Sequence, residues 1–206
     1  MAFTIASDSG ALIVGLSDVK QHLRVEIADD DALITALIHA AREKIENYCN
    51  IALTAKTVHE FFDVFPAMTV QRPNAEFYLK VNRVESVTSI QYYEDVESDT
   101  LTTIDSADYI LDNASQYARV APRIGVKWPL EDGRINGVKI IYEAGYSDVA
   151  DIPAPIIQSA KLMISDWYER REDRLYQMQS TGFILPRVSE MLLKPYRIYQ
   201  WSQKEN

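Results

Sequence analysis

The sequence predicts an α+β fold in which a small antiparallel sheet is inserted between the helices of a helical core. Apolar residues recur at helical spacing near the start of the chain, the period changes to two in the middle, and helical spacing then returns. We expect the helical core at 16–50 and 153–174, the inserted β region at 51–150 and a C-terminal tail with a short helix at 175–206. Residues 1–15 are expected to form an N-terminal segment that can be flexible.

Two helices are predicted in the first part of the chain. Ser17 can cap a short helix that extends through Leu23, and Asp29 or Asp30 can cap a longer one. The apolar face of the longer helix has spacings of three and four and comprises Leu33, Ile34, Leu37, Ile38, Ala41, Ile45 and Tyr48. Its polar side comprises Thr35, His39, Arg42, Glu43 and Glu46. One face of this helix is therefore expected to be buried.

After Asn50, β-branched and aromatic residues alternate with polar ones, which favours strands. The predicted strands are Lys56 to Asp63, Glu76 to Val81, Val87 to Glu94, Asp108 to Leu111 and Val138 to Tyr142. Turn-forming residues lie between them, so an antiparallel arrangement is expected.

Helical spacing returns after Pro153 and Pro155, because proline is tolerated in the first turn of a helix. A third helix of four or five turns is predicted there, and it ends in the charged run ERREDR. A short helical piece, SEMLLK, follows within the tail. The tail is too apolar for a solvated linker.

Composition argues against several classes of function. The formal charge of −9 is unsuited to tight binding of nucleic-acid phosphates, and no apolar run approaches the length of roughly 20 residues that a membrane-spanning helix requires. Cys49 is the only cysteine and is expected to be a buried structural thiol. The three histidines are scattered along the chain, and the triplet Asp29–Asp31 is better suited to a solvated helix N-terminus than to a metal site. No catalytic residue, metal ligand or cofactor site is predicted.

Several segments, in order from about Leu16 to Arg197, resemble the phage head-tail connector (adaptor) family, in its longer branch with a β insertion. The opening match is LSDVKQHLRVEIADDDALITALIHAAREKIENYCNIAL. Later matches are VESVTSIQYYED, DYILD, ARVAPRIGVKWP, VKIIYEAGYSDVADIPAPI, DWYERRE and SEMLLKPYR. The first fifteen residues and the end after Arg197 match nothing in the family.

This resemblance implies a structural protein without catalysis. It implies a homo-oligomeric ring of twelve copies on the portal, contacts with a stopper or tail component, and passage of DNA through the lumen without sequence-specific binding. The implied place is the neck of a virion or gene-transfer particle, after synthesis in the bacterial host cytoplasm. The alternatives are another connector component, such as a stopper or tail-completion protein, or a small hydrolase with an unrecognised site.

The large apolar residues of the C-terminal tail must bury against their own domain, a neighbouring subunit or a partner. We favour contact with a neighbour or partner, because exposed apolar patches commonly mark interfaces. These residues are Phe183, Ile184, Leu185, Met191, Leu192, Leu193, Tyr196, Ile198, Tyr199 and Trp201. Arg187 and Arg197 join them, since aromatic residues and arginine are favoured at interface hot spots. The mixed-sign run that includes Arg170, Arg171 and Glu172 is either a solvated helix end or a contact that fixes the register of neighbouring subunits.

Overall fold

The computed structural model describes residues 2–67, 75–95, 99–115, 117–129, 134–170 and 187–199. These residues form two compact units. The β unit contains residues 2–9 and those described between 54 and 145. The helical unit contains residues 10–53, 146–170 and 187–199. The predicted α+β class is confirmed, and in chain order every described strand except the first lies between the second and third α-helices.

The helical unit contains four α-helices. They are α1 (Leu16–Leu23), α2 (Asp31–Cys49), α3 (Ala154–Glu169) and α4 (Arg187–Leu193). Short 3₁₀ turns occur at Val149–Asp151 and Lys194–Tyr196. The core lies between α2 and α3, where fully buried Ile34, Ile38 and Ile45 pack with Ile156 and Met163. The stripes at helical spacing are therefore the surfaces that the unit buries, except at Leu33, which is 38% exposed.

Two local predictions for these helices were wrong. The N-cap of α1 is Gly15, and Ser17 lies inside the first turn. On α2, Arg42 and Glu46 were assigned to the polar side, yet both are buried. The backbone N–H of Leu53 donates a 2.8 Å hydrogen bond to Glu46 Oε1, so this carboxylate stabilises the chain just after the helix.

The main sheet of the β unit has five antiparallel strands in the order β1-β2-β8-β4-β5. Their bounds are β1 (Ala2–Asp8), β2 (Lys56–Phe62), β4 (Val84–Tyr93), β5 (Leu101–Thr103) and β8 (Val138–Ala144). Burial alternates along β2 and β8, as expected for strands with one face against a core. Val58, Ile90 and Ile140 are fully buried on that face.

A second antiparallel sheet has the order β3-β7-β6. It comprises β3 (Phe77–Tyr78), β6 (Tyr109–Asp112) and β7 (Arg119–Pro122). Phe77 packs in an aromatic cluster with Phe62, Phe65 and Trp128. The indole N–H of Trp128 donates a 2.7 Å hydrogen bond to the Ala75 carbonyl, so the buried ring has its polar group satisfied.

All five predicted strand regions contain a strand, but three strands were not predicted: β1, β5 and β7. The N-terminal segment, expected as one that can be flexible, contributes β1, which pairs with β2. The residues Phe3, Thr4 and Ile5 carry the β-forming signal that could have revealed it. Every helix in the described ranges is too short or too polar to span a membrane.

Candidate interaction surface

The segment 187–199 packs against the rest of the helical unit through α4. Leu193 is fully buried in the core of that unit. Ser189 is also buried, and its hydroxyl donates to the Ser159 carbonyl at 3.5 Å while the Ser159 hydroxyl donates to the Ser189 carbonyl at 3.4 Å. Small residues at this crossing let α3 and α4 approach closely.

The chain after α4 is attached to the C-terminal end of α2. The backbone N–H of Ile198 donates a 2.8 Å hydrogen bond to the Cys49 carbonyl. The side-chain amide of Asn50 donates to the Ile198 carbonyl at 2.6 Å. Asn50 is the C-cap of α2 and has a φ of 56°, a left-handed conformation that asparagine tolerates. This one residue therefore ends α2 and holds the C-terminal segment.

Cys49 is the last residue of α2, and its side chain is fully buried. Burial raises the pKa of its thiol to about 12, partly opposed by the positive charge of Arg197. A thiol with such a pKa stays protonated and unreactive at neutral pH. The expectation of a structural cysteine agrees with this environment.

Arg197 lies between two aromatic rings. Its guanidinium is 4.7 Å from the centroid of Tyr48 and 4.8 Å from that of Tyr199. The Tyr48 hydroxyl donates to Glu190 Oε1 at 3.4 Å. Desolvation by burial and then the charge of Glu190 raise the pKa of Tyr48. Cation–π contacts of this kind fix the orientation of an arginine on the surface.

Several apolar side chains of this segment remain accessible. Val188, Met191 and Tyr199 are 59%, 69% and 55% exposed, and Leu192 is half-buried. Val188 lies three residues before Met191 and four before Leu192, so these side chains share one side of α4. We name Val188, Met191, Leu192 and Tyr199 the C-terminal patch. Exposed apolar groups in such a set are typical of protein contact surfaces.

The predicted interface residues thus have different locations. Leu193 belongs to the core, Leu192, Tyr196 and Arg197 are half-buried, and Tyr199 is exposed. Arg170 is exposed and pairs with Asp166 at 3.0 Å, one helical turn earlier. Val188 was missed, although its spacing from Met191 could have revealed it. Outside the described residues lie Phe183, Ile184, Leu185, Arg171, Glu172, Trp201 and the side chain of Arg187.

Two residues of the acidic triplet Asp29–Asp31, at the start of α2, have protein partners. Asp31 pairs with Lys20 of α1 at 2.5 Å, and Asp30 accepts a hydrogen bond from the Tyr168 hydroxyl of α3. These contacts tie the start of α2 to two other helices. Within the described ranges, no group of three or more His, Cys, Asp or Glu side chains is arranged to hold a metal ion.

A cavity of about 550 Å³ lies on the second sheet of the β unit. Its described lining comprises Glu76, Ile110, Asp112, Arg119, Ala121, Pro122, Arg123 and Ile124. Asp112 accepts a 2.8 Å ion-pair hydrogen bond from Arg119, and hydrogen bonds from Ser115 and Arg119 lower the pKa of Asp112 to about 2. This described lining contains no histidine, cysteine or serine.

Residues 14–108 match the family described as phage gp6-like head-tail connector protein. The match includes α1, α2 and the strands β2 to β5. The resemblance predicted from the sequence is therefore confirmed: over these residues the chain is similar to the head-tail connectors of phages. No protein with a curated description matches the chain.

Solved structures show the same fold over nearly the whole chain. A chain from the neck of an empty GTA particle, computed with C6 symmetry, has a TM-score of 0.75 at 19% identity. A chain from the virion of a native gene transfer agent (GTA) particle has a TM-score of 0.71 at 19% identity. A chain from the neck of a native GTA particle, computed with C12 symmetry, has a TM-score of 0.69 at 18% identity. In each comparison 98% of both chains is covered.

Proposed function

We propose that this chain is a ring-forming head-tail connector that docks on the portal, extends the DNA channel and provides the platform for tail attachment. The family match over residues 14–108 carries the proposal. In this proposal the ring has twelve copies and also contacts a stopper or tail component. The chain is made in the cytoplasm of the bacterial host and acts in the particle neck by binding alone, without catalysis.

The C-terminal patch supplies the contact chemistry for this role. Its exposed Val188 and Met191 sit on a helix whose other side is anchored by Leu193 in the core. A rigidly held apolar surface costs less conformational entropy on binding than a mobile one. In a closed ring the same contact repeats in every subunit, so modest affinities combine through multivalency. We assign the patch, with Tyr196 and Arg197 beside it, to contact with a neighbouring subunit or the portal.

The formal charge of −9 suits the proposed channel. Strong binding to DNA phosphates needs clusters of Lys and Arg that displace counterions. A chain in which 30 acidic residues outnumber 21 basic ones would let DNA slide past rather than hold it. Specific base recognition is not part of the proposed role.

Electron microscopy of the purified chain, alone and mixed with its portal protein, tests the proposal. The expected result is annular particles or additional ring density on one end of the portal. A pull-down against separate portal and tail proteins accompanies it as a control for position. If the chain is monomeric and does not bind the portal, the proposal is wrong. If it binds tail proteins alone, it belongs to the stopper or tail-completion class instead.

A further inference from the structure

Strand β1 forms one edge of the five-stranded sheet. It pairs with β2, and among the described strands it has no second neighbour. Six of its seven residues are exposed. Because alternate residues of an edge strand direct backbone N–H and C=O groups away from the sheet, residues 2–7 present a row of hydrogen-bonding groups to a further strand.

This edge lacks most of the features that prevent strands from pairing between molecules. Residues 2–7 read AFTIAS and include no proline, lysine or other charged side chain. Ile5 is 48% exposed, which leaves apolar surface at the edge. A shift of register between Ile5 and Ser7 interrupts the strand, which pairs with β2 on both sides of it, at residues 2–5 and again at Ser7 and Asp8. Protected edges commonly carry charges, prolines or bulges, and of these residues 2–7 have only the irregularity between Ile5 and Ser7.

The opposite edge of the same sheet is β5. Leu101–Thr103 pairs with Tyr93 to Gln91 of β4, and among the described strands β5 has no other neighbour. Its sequence, Leu-Thr-Thr, is likewise uncharged, and its first and last residues are exposed. One chain therefore carries two open strand edges at opposite ends of a single sheet. A second copy of the chain offers each edge the other as a partner.

We propose that β1 of one copy pairs with β5 of the next, so that the five-stranded sheet continues from subunit to subunit. The inference rests on the proposed function, because the ring provides the next copy. A contact between two different edges is head-to-tail and repeats around a closed ring, whereas pairing of β1 with β1 is two-fold and ends at a dimer. The short β5 makes each contact weak, and ring closure adds the contacts together.

The register within the sheet identifies positions for cross-linking. Thr4 lies opposite His59, and His59 lies opposite Ile141. Residues paired across strands share a face of the sheet, and so do residues two apart in one strand. Thr103 pairs with Gln91, Gln91 with Lys139, and Lys139 with Phe61, which lies two residues after His59. Thr103 therefore lies on the same face as His59 and Thr4. Both threonines are exposed, so cysteine at either position should leave the fold intact.

The experiment uses the full chain with Thr4→Cys and Thr103→Cys, singly and together, treated with a short bis-maleimide, alone and on its portal. Cys49 is the only native cysteine and is buried, so it contributes little background. We expect a ladder of covalent oligomers beyond the dimer in the double variant, and monomer in each single variant. As a second test, Ile5→Lys should reduce ring formation, whereas Ile135→Lys, at a position 84% exposed, should not.

The outcomes separate this inference from the proposed function. If electron microscopy shows rings but the double variant does not cross-link, the inference is wrong and the connector role is unaffected. A dimer from Thr4→Cys alone shows two-fold pairing of β1 and also overturns it. If the chain forms no rings and does not bind the portal, both the proposed function and the inference are wrong.

Discussion

The hydroxyl of Tyr142 donates a 2.9 Å hydrogen bond to Oε2 of Glu60, and both side chains are fully buried in the β unit. The backbone N–H of Lys80 donates to the same oxygen at 3.0 Å. The other oxygen, Oε1, is buried without a hydrogen-bond partner among the described residues. Burial raises the pKa of Glu60 to about 7, and the two hydrogen bonds oppose part of that increase.

The raised pKa of Glu60 predicts a stability that depends on pH. The ordinary pKa is 4.5, and in the folded chain it is about 7. Between these values the folded chain binds more protons than the unfolded one, so the free energy of unfolding decreases as pH rises. The contribution is complete below pH 4.5 and is lost as pH passes through about 7. Urea denaturation at a series of pH values, followed by tryptophan fluorescence, measures it.

Glu60→Gln should flatten this pH dependence and raise the stability at pH 8, because the buried amide carries no charge. Glu85→Gln, at an exposed position on β4, is the matched control and should leave the pH profile unchanged. An equal slope in wild type and Glu60→Gln would show that Glu60 keeps an ordinary pKa.

Gly145→Ala should unfold or severely destabilise the β unit. Gly145 has a φ of 112°, and an added Cβ would overlap the carbonyl oxygen of Thr54. Overpacking against rigid backbone, together with a conformation nearly restricted to glycine, should cost about 3 kcal/mol or more. Gly125→Ala is the control, since φ is 88° there but nothing lies within 4 Å of the added Cβ. Chemical denaturation of both variants should show a loss for Gly125→Ala of only about 1 kcal/mol.

Two neighbouring leucines should respond differently to truncation. Leu193 is fully buried in the helical core, whereas Leu192 is half-buried. Leu193→Ala should lower the free energy of unfolding by about 2–5 kcal/mol, through lost burial and the cavity that remains. Leu192→Ala should cost about 1 kcal/mol. Thermal or urea denaturation compares the two, and similar losses would place α4 in a different rotation about its axis.

Substitution of the C-terminal patch should affect assembly more than stability. Val188→Glu with Met191→Glu places charges at two exposed positions, so the fold should tolerate them. Removal of two apolar contacts worth about 1 kcal/mol each should weaken portal binding or ring formation by at least about tenfold. The control is Ile135→Glu, an exposed apolar position in the β unit. Surface-immobilised portal and biolayer interferometry give the affinities, and unchanged binding in the double variant removes the patch from the interface.

The helices illustrate what periodicity can predict. The stripe on α2 and the one that begins at Ile156 correctly indicated two buried faces, because helical spacing places such residues on one side. The same spacing could not reveal that Arg42 and Glu46 are buried. For Glu46, burial depends on the chain around Leu53, whose backbone N–H supplies the carboxylate with a hydrogen-bond donor.

Among the strands, too, some could be predicted from the sequence and others could not. β2 and β8 were predicted because each alternates over seven residues and lies at the centre of the sheet. β5 and β7, with three and four residues, were missed, although β6, which is equally short, was predicted. β1 forms by pairing with β2, a strand distant along the chain, so the pattern of residues within β1 alone does not determine it.

The helices, the strands β2 and β8, the acidic charge and the similarity to head-tail connectors could be determined from the sequence, since they depend on composition or on residues close together along the chain. The sequence also marked the C-terminal tail as apolar. Only the tertiary structure decided that Leu193 faces the core while Val188 and Met191 face solvent. That decision depends on how α4 is rotated against α3, which is set by packing between residues that lie about thirty positions apart, such as Ser159 and Ser189.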